Sequence, residues 1–569
     1  MTPAKTITRS VKIALTVALL ASGFGIAAEK PVGFLAAASP APADSSPSWP
    51  SWRGPEQNGA SREIGLVDSW SAEGENLLWK APVGGRSTPI VMNGRVCIIT
   101  LGGEDKLHYH ERVVCLDAET GKIIWEHGFN VFLTDIPWHR VGWSNLAGDP
   151  ETGNIYAHGI EGMFICFDGD GNILWSRSLT EEFGRISGYG GRTNTPVVDG
   201  NLVILSFLNS GWGNQVRGSH RFFGFDKVTG ELVWVSQPGG APLDTTYSVP
   251  VVTVINGQRL LIAPNADGWI YALKIRTGEK VWGFQLSKRG INSSVVVDGN
   301  LVYVSHSEEN IDGSTALGRL VCIDATGTGD VTKTHEVWRI DGFGGGYASP
   351  TIHGGRLYHI NNSAVLHSVD AKTGEIAWTQ SLGTVQKGSP TWADGKLYVS
   401  EVDGKFYILR PGRTGCRILD REDFKTAEGD AVQINGSPAI ANGRIYLLTR
   451  NALYAIGEKN RRASFSSPPE PLEEPSAESG AKVAHVQIVP GEVVLSPGET
   501  VSFTARAYDD GGRFLREVSP HLVAGGITGN SEQAGHPHRP AHQRPAGRID
   551  FRASGRLDGF RPGSGHPSP

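Results

Sequence analysis

The chain has 569 residues, a formal net charge of −5 and 39% hydrophobic residues. That length exceeds what a single compact core supports, so it implies several domains or a repeat architecture. The slightly acidic balance excludes the basic field that nucleic-acid binding requires, and 74 glycines, about 13% against a usual ~7%, point to short strands and tight turns.

Residues 1–38 carry Lys5, Arg9 and Lys12, then the apolar run IALTVALLASGFGIAA, then the small-residue stretch FLAAASPAPADSSPS. This is the layout of a secretory signal peptide, with cleavage after Ala28 or after Ala38. An uncleaved membrane anchor is the alternative, disfavoured by the shortness of the run and by Gly23 and Gly25. No cysteine is near for lipid attachment, and no later run is long and apolar enough to span a bilayer. The expected location is periplasmic or extracellular, with no integral membrane segment after cleavage.

Residues 39–75 form a lead-in containing WPSWRGPEQNGAS, and from 76 to 457 the sequence repeats. Each unit opens on Ser/Thr-Pro, a short alternating strand, an Asn-Gly or Asp-Gly turn and a second strand, as in STPIVMNGRVCIIT, NTPVVDGNLVILS, GSPTWADGKLYVS and GSPAIANGRIYLL. Asn-Gly and Asp-Gly supply the positive φ of two-residue hairpins. The unit closes on a second hairpin, CLDAETGKIIW, GFDKVTGELVW, ALKIRTGEKVW or SVDAKTGEIAW, with Trp four residues after the turn glycine. One unit is therefore a four-stranded antiparallel meander. Unit starts at Pro89, near Asn145, and at Pro196, Pro250, Ser294, Pro350, Pro390 and Pro438 make eight. The eighth ends at ALYAIGEKN with three strands, and ENLLWKAPV, before the first unit, is the donor of its fourth. The fold class expected is all-β: an eight-bladed β-propeller closed by an N-terminal strand, which removes the free sheet edges.

The pattern A-x-x-T-G-x-x-x-W resembles the tryptophan-docking motif of the pyrroloquinoline-quinone (PQQ) type propeller repeat. That resemblance covers roughly residues 49–457 and implies that each Trp packs on the turn glycine of a neighbouring blade. It also implies kinship with outer-membrane-assembly propellers and, more distantly, with quinoprotein dehydrogenases.

Five cysteines leave at least one unpaired. Cys115, Cys166 and Cys322 fall at one equivalent place, filled elsewhere by Gly224, Ala272, Ser368 and Ala455. A small buried side chain is expected there; whether Cys97 pairs with Cys115 stays open. Residues 458–480 read as a flexible Pro/Ser/Glu linker. Residues 481–518 alternate like strands and resemble the start of a bacterial immunoglobulin-like domain, left incomplete. Residues 519–569, rich in His, Pro, Arg and Gly, read as a disordered or frame-shifted tail; a histidine-rich metal-binding tail is the sharper alternative.

In such meanders the Asn-Gly, Asp-Gly and Thr-Gly turns share one face, and the long second-to-third loops and inter-unit crossings share the other. Binding residues are expected on the long-loop face. The candidates are Asp135, Trp138, His139, Arg140, Glu181, Glu182, Arg185, Tyr189, Arg192, Trp212, Arg217, His220, Glu308, Glu309 and Asn310. Aromatic, arginine and carboxylate side chains on one rim suit a protein, peptide or polysaccharide of the cell envelope. The function expected is an exported, non-catalytic binding or scaffolding propeller without cofactor or metal. The alternative is a PQQ- and calcium-dependent dehydrogenase, with Glu309, Asn310 and Asp312 of EENIDG as calcium ligands. No adjacent cysteine pair of the kind that PQQ enzymes stack on their cofactor occurs.

Overall fold

The computed structural model describes residues 48–105, 107–131, 138–184, 186, 195–209, 218–461, 463–467, 473–495, 501–518 and 547–550. The signal-peptide reading, with its cleavage sites, lies outside the described residues. No described helix is long and apolar enough to cross a membrane.

Eight antiparallel sheets follow one another along the chain, at residues 90–130, 147–178, 197–236, 251–285, 296–341, 351–381, 391–423 and 439–456. The eighth takes Leu77–Ala81 as its fourth strand, paired antiparallel with Leu453–Ile456. The ring thus closes through the N-terminal strand that the three-stranded last repeat called for. One sheet departs from the meander. Gly329–Asp330, from the segment joining the third and fourth strands of blade 5, pairs in parallel with Trp282 and Gly283 and makes blade 4 five-stranded. This connection, TGTGDVTKTHE, is too long for a Thr-Gly turn, and its excess lies down on the neighbouring edge.

Inter-blade packing follows the repeat. The indole of Trp79 covers Gly121 in the next blade, Trp125 covers Gly171, Trp175 covers Gly230 and Trp338 covers Gly374, so that a Cβ on these glycines would lie 2.6–2.7 Å from the ring. The indole N–H of Trp79 donates to the Ala118 carbonyl at 3.0 Å, that of Trp125 to Gly169 at 3.0 Å and that of Trp338 to Ala371 at 3.0 Å. Glycine is required at these turns twice over, for its positive φ of 69–87° and for the ring above it. The cysteine position is explained by register. Cys115 lies opposite Trp125, Cys166 opposite Trp175 and Cys322 opposite Trp338, so a large residue there would displace the indole. Cys97 faces Cys115 across the sheet and the two are disulfide-bonded.

Around the axis the blades are laced by hydrogen bonds at the Ser/Thr before each repeat's proline. The amide of Thr88 donates to Asn145 Oδ1, Asn145 to Thr195 Oγ1, Val249 to Ser294 Oγ, Ser294 to Ser349 Oγ, Ser349 to Ser389 Oγ, Ser389 to Ser437 Oγ and Ser437 to Thr88 Oγ1, at 2.6–3.3 Å. The circle is interrupted only where Val249 offers no hydroxyl to Thr195.

The lead-in crosses the channel beneath this circle. Trp49 exchanges backbone hydrogen bonds with Val91, Gly148 donates to the Pro50 carbonyl, Gln57 pairs with Val252, and Trp392 donates to Gly59. Arg53, 4% exposed, donates to the carbonyls of Pro350 at 2.6 Å and Pro390 at 3.3 Å and to Thr351 Oγ1 at 2.7 Å. Burial lowers its pKa to about 9, still above neutral, so it stays a cation. Five blades thus hold the segment, which plugs one end of the channel.

Described residues of the segment read as a linker make contacts with the propeller. Ser464–Phe465 pairs with Glu63–Ile64, and Glu474 accepts from the Arg259 amide at 3.0 Å and from Arg276 at 2.6 Å. Backbone pairing and charge thus hold Ser464–Phe465 and Glu474. From Ser476 the chain forms a second unit. It contains a three-stranded sheet ordered His485–Val489, Thr504–Tyr508, Phe514–Val518, and a pairing of Glu492–Leu495 with Gly547–Asp550. Residues 547–550, expected in a structureless tail, thus form a strand, because Val493 and Val494 offer them an edge to pair with.

Candidate functional site

The other end of the channel is an open mouth on the long-loop face. Its floor is Trp52 with Thr88, Asn145, Thr195, Val249 and Ser437 of the hydrogen-bonded circle. Its wall is one residue from each of seven crossings, three before the repeat's proline or its equivalent: Arg86, Trp143, Tyr247, Asn292, Tyr347, Lys387 and Asn435. A crossing must turn from an outer strand to an innermost one, and that geometry aims this one side chain at the axis; the matching residue of the third blade, Thr193, lies outside the described residues. The cavity they enclose is ≈ 80 Å³, several times the room a single water needs.

Three of these residues form an aromatic cluster. Trp143 lies 5.4 Å from Tyr247 and 6.3 Å from Tyr347, and the two tyrosines are 5.5 Å apart, ring centre to ring centre. Cations sit on the rings. Lys387 Nζ is 4.9 Å from the Trp143 centroid, and the Arg140 guanidinium lies 6.0 Å from Trp143 and 5.9 Å from Tyr247. Trp138 stands between Arg86 at 5.6 Å and Arg450 at 5.1 Å. Such contacts hold the charges in place at modest gain.

The field at the mouth is positive. Burial lowers the Arg86 pKa to about 10, helped by the charge of Arg450. Lys387 is lowered by burial and by Arg86 and Arg140; His139 is lowered by burial and by Arg140, Arg86 and Lys387. Among the described residues no carboxylate pairs with Arg86, Arg140, Lys387 or Arg450. The acids on the Tyr347 side are already occupied: Asp244 lies 3.3 Å and Glu309 2.9 Å from Arg289, with Glu308 at 4.0 Å.

The sequence candidates separate accordingly. Trp138, His139 and Arg140 form a short 3-10 turn at the mouth, and Glu308 and Glu309 lie beside it in the Arg289 cluster. Glu181 is exposed on the short helix Leu179–Phe183, where Glu182 pairs with Arg177. His220 and Asn310 are not rim residues. His220 is 1% exposed inside its blade, with Nδ1 2.8 Å from Asn265 Oδ1, and Asn310 is fully buried, donating to the Ala316 carbonyl at 2.7 Å. Both sit where a strand enters or leaves its loop and turn into the sheet. Asp135, Arg185, Tyr189, Arg192, Trp212 and Arg217 lie outside the described residues. Sequence reasoning missed Arg86, Trp143, Tyr247, Tyr347 and Lys387. The signal was present: once repeats are aligned on their prolines, one column carries Arg86, Trp143, Tyr247, Asn292, Tyr347, Lys387 and Asn435, while the position after it is a small residue in most repeats.

The calcium ligands of the dehydrogenase alternative do not converge. Glu309 faces Arg289, Asp312 faces Arg319 at 2.6 Å, and Asn310 is turned inward. The disulfide joins Cys97 and Cys115 on adjacent strands, 18 residues apart, not two consecutive cysteines.

Residues 109–336 and 267–496 match the model of a family described as outer membrane protein assembly factor BamB. Tetrathionate hydrolase of Acidithiobacillus ferrooxidans is 24% identical over 375 residues, 58% of this chain and 66% of that protein. Outer membrane protein assembly factor BamB of Escherichia coli is 26% identical over 188 residues, 32% of this chain and 43% of that protein. The chain thus spans less than two thirds of the length of these relatives. The crystal structure of quinohemoprotein alcohol dehydrogenase from Comamonas testosteroni superposes with a TM-score of 0.50 at 13% identity, over 75% of this chain and 83% of that one. That likeness concerns the fold.

Proposed function

Because the chain belongs to the family described as outer membrane protein assembly factor BamB, we propose that it is a non-catalytic propeller of the cell envelope that holds a protein or peptide partner over its axial mouth. The observation that carries this reading is the convergence of Trp138, Trp143, Tyr247 and Tyr347 with cations that have no carboxylate partner among the described residues, at one end of a channel plugged at the other. Trp, Tyr and Arg anchors in a half-buried recess are what binding hot spots are made of. A plugged channel cannot pass a substrate through, and its rigid, laced ring changes shape little on binding. The dehydrogenase alternative keeps an axial cavity with an aromatic wall, which suits a planar ligand, but needs calcium oxygens other than those of EENIDG.

The test is photo-crosslinking against envelope extract, with the reactive residue at Tyr347 on the mouth or at Asn442 in a tight turn of the opposite face. A discrete adduct from the Tyr347 position alone supports the reading. Equal labelling from both positions, or none, overturns it.

A further inference from the structure

We propose that the axial cavity is a binding site for a compact multivalent oxyanion of the sulfate or phosphate class. The proposal rests on the mouth being a binding site, as above, and adds the chemistry of an occupant.

The argument starts from how this chain treats its other buried cations. Lys227 is paired with Asp149 at 2.8 Å, Lys396 with Asp394 at 2.9 Å, and Arg319 with Asp341 at 2.6 Å. Arg53 spends its donors on two carbonyls and a hydroxyl. Burying a cation without such compensation is costly, so natural chains provide it. Arg86 is the exception. It is 9% exposed, lines the cavity, and has no hydrogen-bond or ion-pair partner among the described residues.

Lys387 lines the same cavity, with Arg140 and Arg450 on the neighbouring indoles of Trp143 and Trp138, and among the described residues no carboxylate pairs with any of the four. Like charges gathered without a counter-charge repel, as the lowered pKa values of Arg86 and Lys387 reflect. A ligand of the opposite sign relieves this, and one carrying two charges relieves it more than one carrying a single charge. Two neutral groups of the wall are also unsatisfied: the Oδ1 atoms of Asn292 and Asn435, the latter residue 6% exposed. The ≈ 80 Å³ cavity, lined also by Trp52, has room for a tetrahedral oxyanion.

Titration calorimetry and thermal unfolding of the whole chain with sodium sulfate test this, at ionic strength held constant with sodium chloride and with sodium acetate as a monovalent control. Saturable stabilisation by sulfate is expected, with affinity falling at least tenfold in Arg86→Gln and in Lys387→Gln. It should be unchanged in Lys372→Gln, on an exposed turn. Both mouth variants should unfold at a higher temperature than wild type in chloride alone, since each removes one repelling charge; that readout also reports their folding. Stabilisation by acetate or chloride equal to that by sulfate, or sulfate binding indifferent to both mouth variants, overturns the proposal. If sulfate fails while the Tyr347 adduct forms, the anion site falls and the scaffold reading stands. Sulfate binding without an adduct leaves the reverse.

Discussion

The amide of Ser437 donates to the hydroxyl of Thr88 at 2.9 Å, joining the last blade to the first. Thr88→Val keeps the shape and removes the acceptor, leaving a buried N–H unsatisfied at a cost of about 1–3 kcal/mol. A fall in denaturant midpoint with unchanged slope is the expected result. Val249→Thr is the complementary change: it offers Thr195 the missing acceptor and should raise the midpoint by about 0.5–1.5 kcal/mol equivalent.

The indole-on-glycine contact is separable from turn strain. Gly121→Ala places a methyl 2.6 Å from the Trp79 ring at a φ of 69°, whereas Gly94→Ala meets nothing within 4 Å at a φ of 72°. The second change costs about 1 kcal/mol; the first should cost about 2–4 kcal/mol, overpacking included. Thermal unfolding of the pair gives the difference, and equal losses would falsify the packing role of the indole.

Stability should fall as pH rises from about 4.5 toward neutrality. Glu111 is buried and accepts from the amides of Gly142 at 3.0 Å and Ile160 at 2.7 Å, yet burial still raises its pKa from 4.5 to about 7. The folded chain therefore holds this proton more tightly than the unfolded one. Stability is fully present below pH 4.5 and is lost up to about pH 7, at no more than about 1.4 kcal/mol per pH unit. Glu63, also raised to about 7 by burial, adds in the same window. In Glu111→Gln the Glu111 part is absent, so its deficit against wild type should shrink between pH 5 and pH 8 in parallel melts.

Removing the plug's charge leaves acceptors stranded. Arg53→Met fills similar volume but abandons the carbonyls of Pro350 and Pro390, and a loss of about 2–4 kcal/mol is expected. Urea titration reads it directly.

Calcium should not govern any binding of PQQ. With Glu309 on Arg289 and Asp312 on Arg319, titration of PQQ with and without calcium should give the same heats. Heat that appears only with calcium would reinstate the dehydrogenase alternative.

The fold was legible because repetition multiplies weak signals. One Thr-Gly hairpin means little, but Trp79, Trp125, Trp175 and Trp338 at matched places identify a blade. The site was legible only by face. Loop length pointed to Trp138 and Arg140, which lie at the mouth, but Tyr247 and Lys387 of its wall look like ordinary connectors in the sequence. His220 misled because a polar residue beside a long loop reads as rim, and only its Asn265 partner reveals it as interior.

The strand Leu77–Ala81 has a consequence for timing. Its partner Leu453–Ile456 is among the last parts of the repeat region to be synthesised, whereas every earlier sheet is built from nearly consecutive chain. Seven blades can therefore assemble as they emerge, while the apolar strand LLWKA waits unpaired until the eighth arrives. Truncation anywhere in the eighth blade would leave that strand without its partner and the ring an open arc with free sheet edges.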